Sequence, residues 1–239
     1  MEEILKLIQE RQSTRTLFDP KRRVAKKDLK QILEAARWAP TAHNMQNFEI
    51  IVVDDKKLLE AIGNMKYEIT NIFIRENYQQ LSFSEEELLR KKAGLLGTML
   101  PPAMRNPGAK LDKDTNEKMA SFQGRTIKTS PVLLIVVYDP SRRAPASEGD
   151  FLGTISLGCM MENMWLMAHS LGIGFHVISA IPADLVEKQV KSILNIPEHL
   201  EIALSVRLGY PTALTKYLRV RRDVDDFTHH NQFGRKGLG

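Results

Sequence analysis

Arg11-Gln12-Ser13-Thr14-Arg15 sets two guanidiniums and two hydroxyls within five residues. Arginine forks match phosphate oxygens two at a time, and hydroxyls fill the remaining lone pairs. Some thirty residues on, Pro40-Thr41-Ala42-His43-Asn44-Met45-Gln46 forms a turn of small and amide side chains. Pro40 stops any preceding helix, and Asn44 and Gln46 each offer both a donor and an acceptor. A phosphate clamp together with an amide-rich loop suits a flat, polar-edged cofactor carrying a phosphorylated tail.

Other chemistries find less support. Cys159 is the only cysteine, so an intramolecular disulfide is impossible and a reducing cytoplasm is the natural setting. Alone, it reads as a small buried hydrophobe. His43, His169, His176 and the pair His229-His230 lack the spacing of a metal site, so no metal is expected. The net charge of +5 would suit an anionic ligand. The basic clusters (Lys21-Arg22-Arg23, Lys26-Lys27, Arg142-Arg143, Arg219 to Arg222) are short and carry no interleaved aromatics, so they read as solvated faces and not as a nucleic-acid surface. No run of 18 apolar residues exists to cross a membrane, and the acidic start Met1-Glu2-Glu3 shows no signal peptide.

The elements that must position these groups follow from periodicity. Glu2 to Arg11 and Asp28 to Ala39 read as amphipathic helices, the second ended by Pro40. Phe48 to Val53 reads as a strand. Lys56 to Gln80 reads as helix with a break at Gly63, and Ser84 opens another helix through a capping box with Glu87. A polar excursion runs from about 83 to 128, irregular around Pro101-Pro102 and Asn106-Pro107-Gly108. Pro131 to Tyr138 is apolar on both faces, as in a buried strand. Ser141 to Asp150 reads as a loop. Ile155 to Leu171 is a helix with apolar residues nearly all round, which needs cover on most faces; a second subunit could supply some of it. Phe175 to Ala180 reads as a strand, Ala183 to Leu194 as a helix opened by Pro182, and Ala203 to Leu208 as the last core strand. The polar C-terminal thirty residues either dock on something or are disordered.

At this point the chain resembles the FMN-dependent nitroreductases, the NAD(P)H:FMN oxidoreductases. Five fragments carry the resemblance in order: Arg11, Ser13 and Arg15; Pro40, Thr41, Asn44 and Gln46; Asn163 to Gly174; Leu208-Gly209-Tyr210-Pro211; and Arg221-Arg222-Asp223-Val224-Asp225-Asp226. The resemblance implies an α+β fold, a central antiparallel sheet flanked by helices in an intertwined homodimer. It implies one domain over 1–239, with the long apolar helix at the dimer interface and a tail, about 212–239, that crosses to the partner.

Residue roles follow by the same resemblance. Arg11, Gln12 and Ser13 would hold the FMN phosphate and ribityl chain, with Arg219 and Arg221 completing the clamp. Arg15 and Arg125 would lie near the pyrimidine edge. Thr41, Ala42 and Asn44, with Gln46 of the same loop, would reach the flavin of the other subunit. Val177-Ile178-Ser179-Ala180 would pass along the dimethylbenzene-to-N5 side. Three departures stand out: Thr41 for the usual Ser, Asn47-Phe48 for the usual Pro-Trp, and Ser179-Ala180 for the usual Gly-rich or acidic turn.

The implied activity is ping-pong hydride transfer from NADH or NADPH to nitroaromatics, quinones or related acceptors, with no catalytic acid or base from the protein. A guanidinium beside the flavin pyrimidine would favour the two-electron reduced state. Alternatives are an enone reductase or reductive dehalogenase on the same scaffold, or a flavin-binding protein without turnover. No Rossmann fingerprint exists to separate NADH from NADPH.

Overall fold

The computed structural model describes residues 2–67, 75, 81–99, 113–145, 149–213 and 218–237. In chain order the elements are α1 (Glu2–Glu10), α2 (Lys26–Arg37), a 3-10 turn (Ala42–Asn44), β1 (Glu49–Val53), α3 (Lys56–Gly63), β2 (Ser82–Phe83), α4 (Glu85–Lys91), β3 (Leu95–Leu96), α5 (Lys113–Lys128), β4 (Val132–Tyr138), α6 (Phe151–Ser170), β5 (Gly174–Val177), α7 (Asp184–Leu194), β6 (Glu201–Gly209) and α8 (Val224–Phe227). They divide into two compact units. The first comprises Met1–Tyr67 and Ser121–Thr215, the second Glu68–Ala120 and Lys216–Gly239.

The first unit is built on an antiparallel sheet in the order β1-β4-β6-β5. Central β4 is buried at every position but its last, because Val-Leu-Leu-Ile-Val-Val offers an apolar group to both faces. Leu134 and Val136, with Val206 and Leu208 of β6, pack against Ile32 and Ala36 of α2 and Leu157, Met160, Met164 and Ala168 of α6. Leu133 and Ile135 point the other way and are equally buried. A bulge between Val136 and Val137 shifts the β4–β6 register near the end of both strands. Gly63 ends α3 and meets Gly124 of α5 at near backbone contact, where a Cβ on Gly124 would collide with the Gly63 carbonyl.

Helix α6 starts earlier than its apolar pattern indicated, at Phe151. It is 20 residues long, which at 1.5 Å per residue is about 30 Å. Its stripe Gly153, Ser156, Leu157, Met160, Met164 and Ala168 is buried, whereas Phe151 is 73% and Ile155 46% exposed. The chain therefore covers one face of this helix and leaves apolar side chains at its N-terminal end exposed.

Three expectations need correction. The strand expected over Phe175 to Ala180 stops at Val177: Ile178 N–H still donates to the Ser205 carbonyl at 2.8 Å, its own carbonyl accepts the Ser205 hydroxyl at 2.7 Å, and Ser179-Ala180 lies in a turn. Trp38 and Ala39 lie outside α2, since the residue before Pro40 is sterically held off helical geometry. The polar excursion contains a full helix, α5, whose apolar residues Met119, Phe122 and Ile127 are too sparse to form an evident stripe. Most of the expected helix beyond Gly63, and Pro101 to Gly108, lie outside the described residues.

In the second unit, the predicted capping box at Ser84 is present. Glu87 N–H donates to Ser84 Oγ at 3.2 Å and Ser84 N–H to Glu87 Oε2 at 3.2 Å. The tail folds locally. Asp223 and Asp226 form a second capping box around α8, Lys92 pairs with both carboxylates, and a bridge joins His229 to Lys236.

Candidate functional site

The Arg11–Phe18 segment leaves α1 and runs along the sheet edge formed by β5. Thr14 N–H donates to the Phe175 carbonyl at 2.9 Å. Phe18 is fully buried in a slot between Gly174 and Gly209, which face each other across β5 and β6. A Cβ on Gly209 would come within 2.8 Å of the Phe18 ring, and one on Gly174 within 2.7 Å, so the slot exists only because both residues are glycine. Arg207 of β6 is fully buried beside it. Its Nη2 donates to the Thr14 carbonyl at 3.0 Å and the Thr16 carbonyl at 2.7 Å, its Nε donates to His176 Nδ1 at 2.9 Å, and its guanidinium lies 4.3 Å from the Phe18 ring centre. Burial, then the charges of Arg207 and Arg15, pull the His176 imidazole down to about 3. His176 is therefore neutral at ordinary pH and free to accept from Arg207.

Helix α6 supports the same segment from its own face. Trp165 Nε1 donates to the Gln12 carbonyl at 3.3 Å and stacks on Phe175, with ring centres 5.0 Å apart. The Arg11 guanidinium lies 4.3 Å above the Trp165 ring. Its Nε is 2.9 Å from Glu162 Oε1, an ion pair. Arg11 is thus a cation fixed on an aromatic platform, and Arg15 stands exposed farther along the segment.

The second predicted segment is strained. His43, Asn44 and Gln46 all have positive φ, at 50°, 54° and 45°. None is glycine, and such backbone costs of order 1 kcal/mol or more per residue unless the surroundings compel it. The loop compensates internally: Gln46 N–H donates to Thr41 Oγ1 at 3.1 Å and Gln46 Nε2 to Asn44 Oδ1 at 3.4 Å. Ala42 N–H donates to Ser156 Oγ on α6 at 3.0 Å. Just beyond, the Asn47 amide is 8% exposed, and neither its oxygen nor its nitrogen has a hydrogen-bond partner among the described residues. A groove of about 210 Å³ lined by Gln46, Asn47 and Tyr138 adjoins this loop, and none of Arg11 to Arg15 lines it. Burial, then the Glu201 carboxylate, pushes the Tyr138 phenol there up to about 12.

Within the chain, then, the segment carrying Arg11, Gln12, Ser13 and Arg15 meets β5 at Phe175 through Thr14 and meets α6 at Trp165 through Arg11 and Gln12; Val177 closes β5, and Ile178, Ser179 and Ala180 follow it. Thr41, Ala42, Asn44 and Gln46 are elsewhere: their loop meets α6 at Ser156, and the clamp meets α6 at Trp165, about 13 Å apart along the axis. Arg125 is exposed on α5, its guanidinium 5.5 Å from the Phe122 ring. Arg219 and Arg221 belong to the second unit, where Arg221 Nη1 donates to the Val220 carbonyl at 2.7 Å. Sequence reading did not single out Arg207 or Glu162, weighed His176 only as a metal ligand, and noted Asn47 only as a departure from the family's loop. Arg207 carried a signal, as a lone charge inside the apolar run Ala203 to Leu208. Among the described residues no group of His, Cys, Asp and Glu could hold a metal ion, and no helix is long and apolar enough to cross a membrane.

Comparisons with known proteins bear on the family and the fold. The model of the "Nitroreductase family" matches residues 8–210. An Archaeoglobus fulgidus protein with the provisional name NADH dehydrogenase/NAD(P)H nitroreductase is 26% identical over 211 residues, 88% of this chain and 87% of its own. Among solved structures, a nitroreductase with bound FMN from Desulfitobacterium hafniense superposes with a TM-score of 0.60 at 24% identity, covering 96% of this chain and 99% of that one. A Bacteroides fragilis nitroreductase with bound FMN gives 0.57 at 23% identity, covering 92% and 96%. At these identities the two structures establish the fold.

Proposed function

Because the chain belongs to the nitroreductase family, we propose that it is an FMN-dependent oxidoreductase that uses NAD(P)H to reduce nitroaromatics, quinones or related acceptors. The observation that carries the proposal is the N-terminal clamp: Arg11 held over Trp165, the Gln12 carbonyl bonded to the Trp165 indole, and Thr14 bonded to Phe175 of β5. FMN, when bound, supplies the hydride-carrying ring. The residues of this chain bind and orient it. Arg11, Gln12 and Ser13 would take the phosphate and ribityl oxygens through charge-assisted bonds, with Arg219 and Arg221 closing the clamp. Arg15 and Arg125 would face the pyrimidine edge, where a fixed positive charge favours the reduced ring. Val177, Ile178, Ser179 and Ala180 would flank the opposite edge.

In this reading residues 1–239 form one nitroreductase-like domain that acts as a cytoplasmic homodimer, its 212–239 tail crossing to the partner. The apolar N-terminal end of α6 supports the dimer, since Phe151 and Ile155 are left in solvent by one chain. The orphaned Asn47 amide and the strained loop beside it fit a place completed from outside the protomer. Thr41, Ala42, Asn44 and Gln46 would then serve the flavin of the second subunit. The purified protein is expected to be yellow, to release FMN on heating, to elute at twice the chain mass, and to oxidise NADH or NADPH when nitrofurazone or menadione is added. A colourless protein that takes up no added FMN would refute the proposal.

A further inference from the structure

The clamp side chains are presented by a stretch with no regular structure of its own, so something must fix its backbone. We infer that Arg207 is the positioning residue of the cofactor clamp: a buried cation that, with His176, sets the path of Arg11 to Thr16 and thereby the affinity for the flavin phosphate. This rests on the functional reading above.

Arg207 sits directly across from His176 in the β5–β6 register. Its guanidinium satisfies three acceptors on two different segments, the Thr14 and Thr16 carbonyls and His176 Nδ1. No other side chain type can do this. A lysine head has three donors at one point, whereas the arginine plane spreads its donors over a fork wide enough to reach both carbonyls and the imidazole. Phe18 closes the far side of the plane at 4.3 Å. A charged group that gives its hydrogen bonds to carbonyls of the clamp segment contributes little to the apolar core around it. It does decide which way the residues between those carbonyls face, and Arg15 lies between them. Burying such a charge is costly unless it is hydrogen-bonded; Nη2 and Nε meet that need through the two carbonyls and His176, so the carbonyls and the cation hold one another in place. His176 completes the arrangement only as the neutral imidazole with an open Nδ1, the form its surroundings enforce.

The test uses the full-length protein, with FMN as the probe. Arg207→Lys keeps the charge and loses the fork. It is expected to release FMN roughly tenfold faster, the loss of about one charge-assisted hydrogen bond, with kcat at saturating FMN nearly unchanged. Backbone hydrogen exchange should accelerate in the peptide spanning 11–18 but not in β4. Arg207→Ala should behave the same way more strongly, and added guanidinium should restore part of its FMN affinity. His176→Gln, which retains an acceptor, should lie close to wild type, and His176→Leu close to Arg207→Lys. An FMN release rate within twofold of wild type in Arg207→Lys and His176→Leu would overturn the inference. If Arg207→Ala does not fold, those two variants decide. If the wild-type protein takes up no FMN, the functional reading fails, and exchange in the 11–18 peptide still tells whether Arg207 fixes that segment.

Discussion

The two loops expected to hold the cofactor are built on opposite principles. The Arg11–Phe18 segment has no residue at positive φ and is tied down by hydrogen bonds from three elements, α6, β5 and β6. The Thr41–Asn47 loop has three non-glycine residues at positive φ, and it ends on a buried amide with no partner among the described residues. The first is finished within one protomer. The second holds strain and an unmet hydrogen-bonding demand, the condition of a segment whose stabilising contacts come from a ligand or a second chain. Preorganisation and completion are thus assigned to different parts of the chain. On the proposed reading, the rigid clamp would capture the phosphate before the softer loop engages the ring.

This contrast can be broken or sharpened by experiment. The largest effect is expected from Phe18→Ala, which empties the glycine slot under the clamp. It should cost about 3–5 kcal/mol of stability in a urea titration and abolish tight FMN binding; a small cost would mean that the segment is not anchored there. Next, saturating FMN at roughly a hundred times its dissociation constant should stabilise the fold by about 2.7 kcal/mol. The added hydrogen-exchange protection should fall on 41–47 much more than on 11–18, and equal gains in both would dissolve the distinction. Arg221→Ala should weaken FMN binding by about 1.5–3 kcal/mol, and an unchanged titration would remove it from the clamp.

The staple also has a pH signature. His176 titrates near 3 in the folded protein and near the ordinary imidazole value of about 6.5 when unfolded. Between those values the unfolded chain takes up a proton that the folded protein refuses. Stability should therefore fall as pH drops below about 6.5, by at most about 1.4 kcal/mol per pH unit, and His176→Gln should flatten that slope. The smallest effect is expected at Asn44. Glycine accepts positive φ without strain, so Asn44→Gly should gain up to about 1 kcal/mol of stability while losing FMN affinity, and a thermal melt paired with a flavin titration would separate the two.

Much of this architecture was legible in the sequence because it rests on local rules. β4 declared itself by six consecutive apolar residues, α4 by its Ser84–Glu87 box, and α6 by apolar residues on every side. Arg11, Ser13 and Arg15 could be read as clamp candidates because they sit together in the chain. What escaped depends on contacts between distant positions. Nothing near residue 207 indicates that its side chain will meet Thr14 and Thr16. Nothing near Asn47 indicates that its amide will be buried unpaired. The strand end at Val177 was misjudged because the partners of Ile178 lie on Ser205, far along the chain, and nothing local marks where the pairing turns irregular. Helix α5 was obscured because its first turns are almost wholly polar.

Of the two tryptophans, Trp38 is 73% exposed, whereas Trp165 lies beneath the Arg11 guanidinium with its indole N–H on the Gln12 carbonyl. The protein therefore contains an intrinsic optical gauge at its most important corner. With Trp38 replaced by phenylalanine, the remaining ultraviolet emission would come from a single indole in contact with the arm proposed to take the phosphate, and its intensity would then follow occupancy in real time without any attached dye.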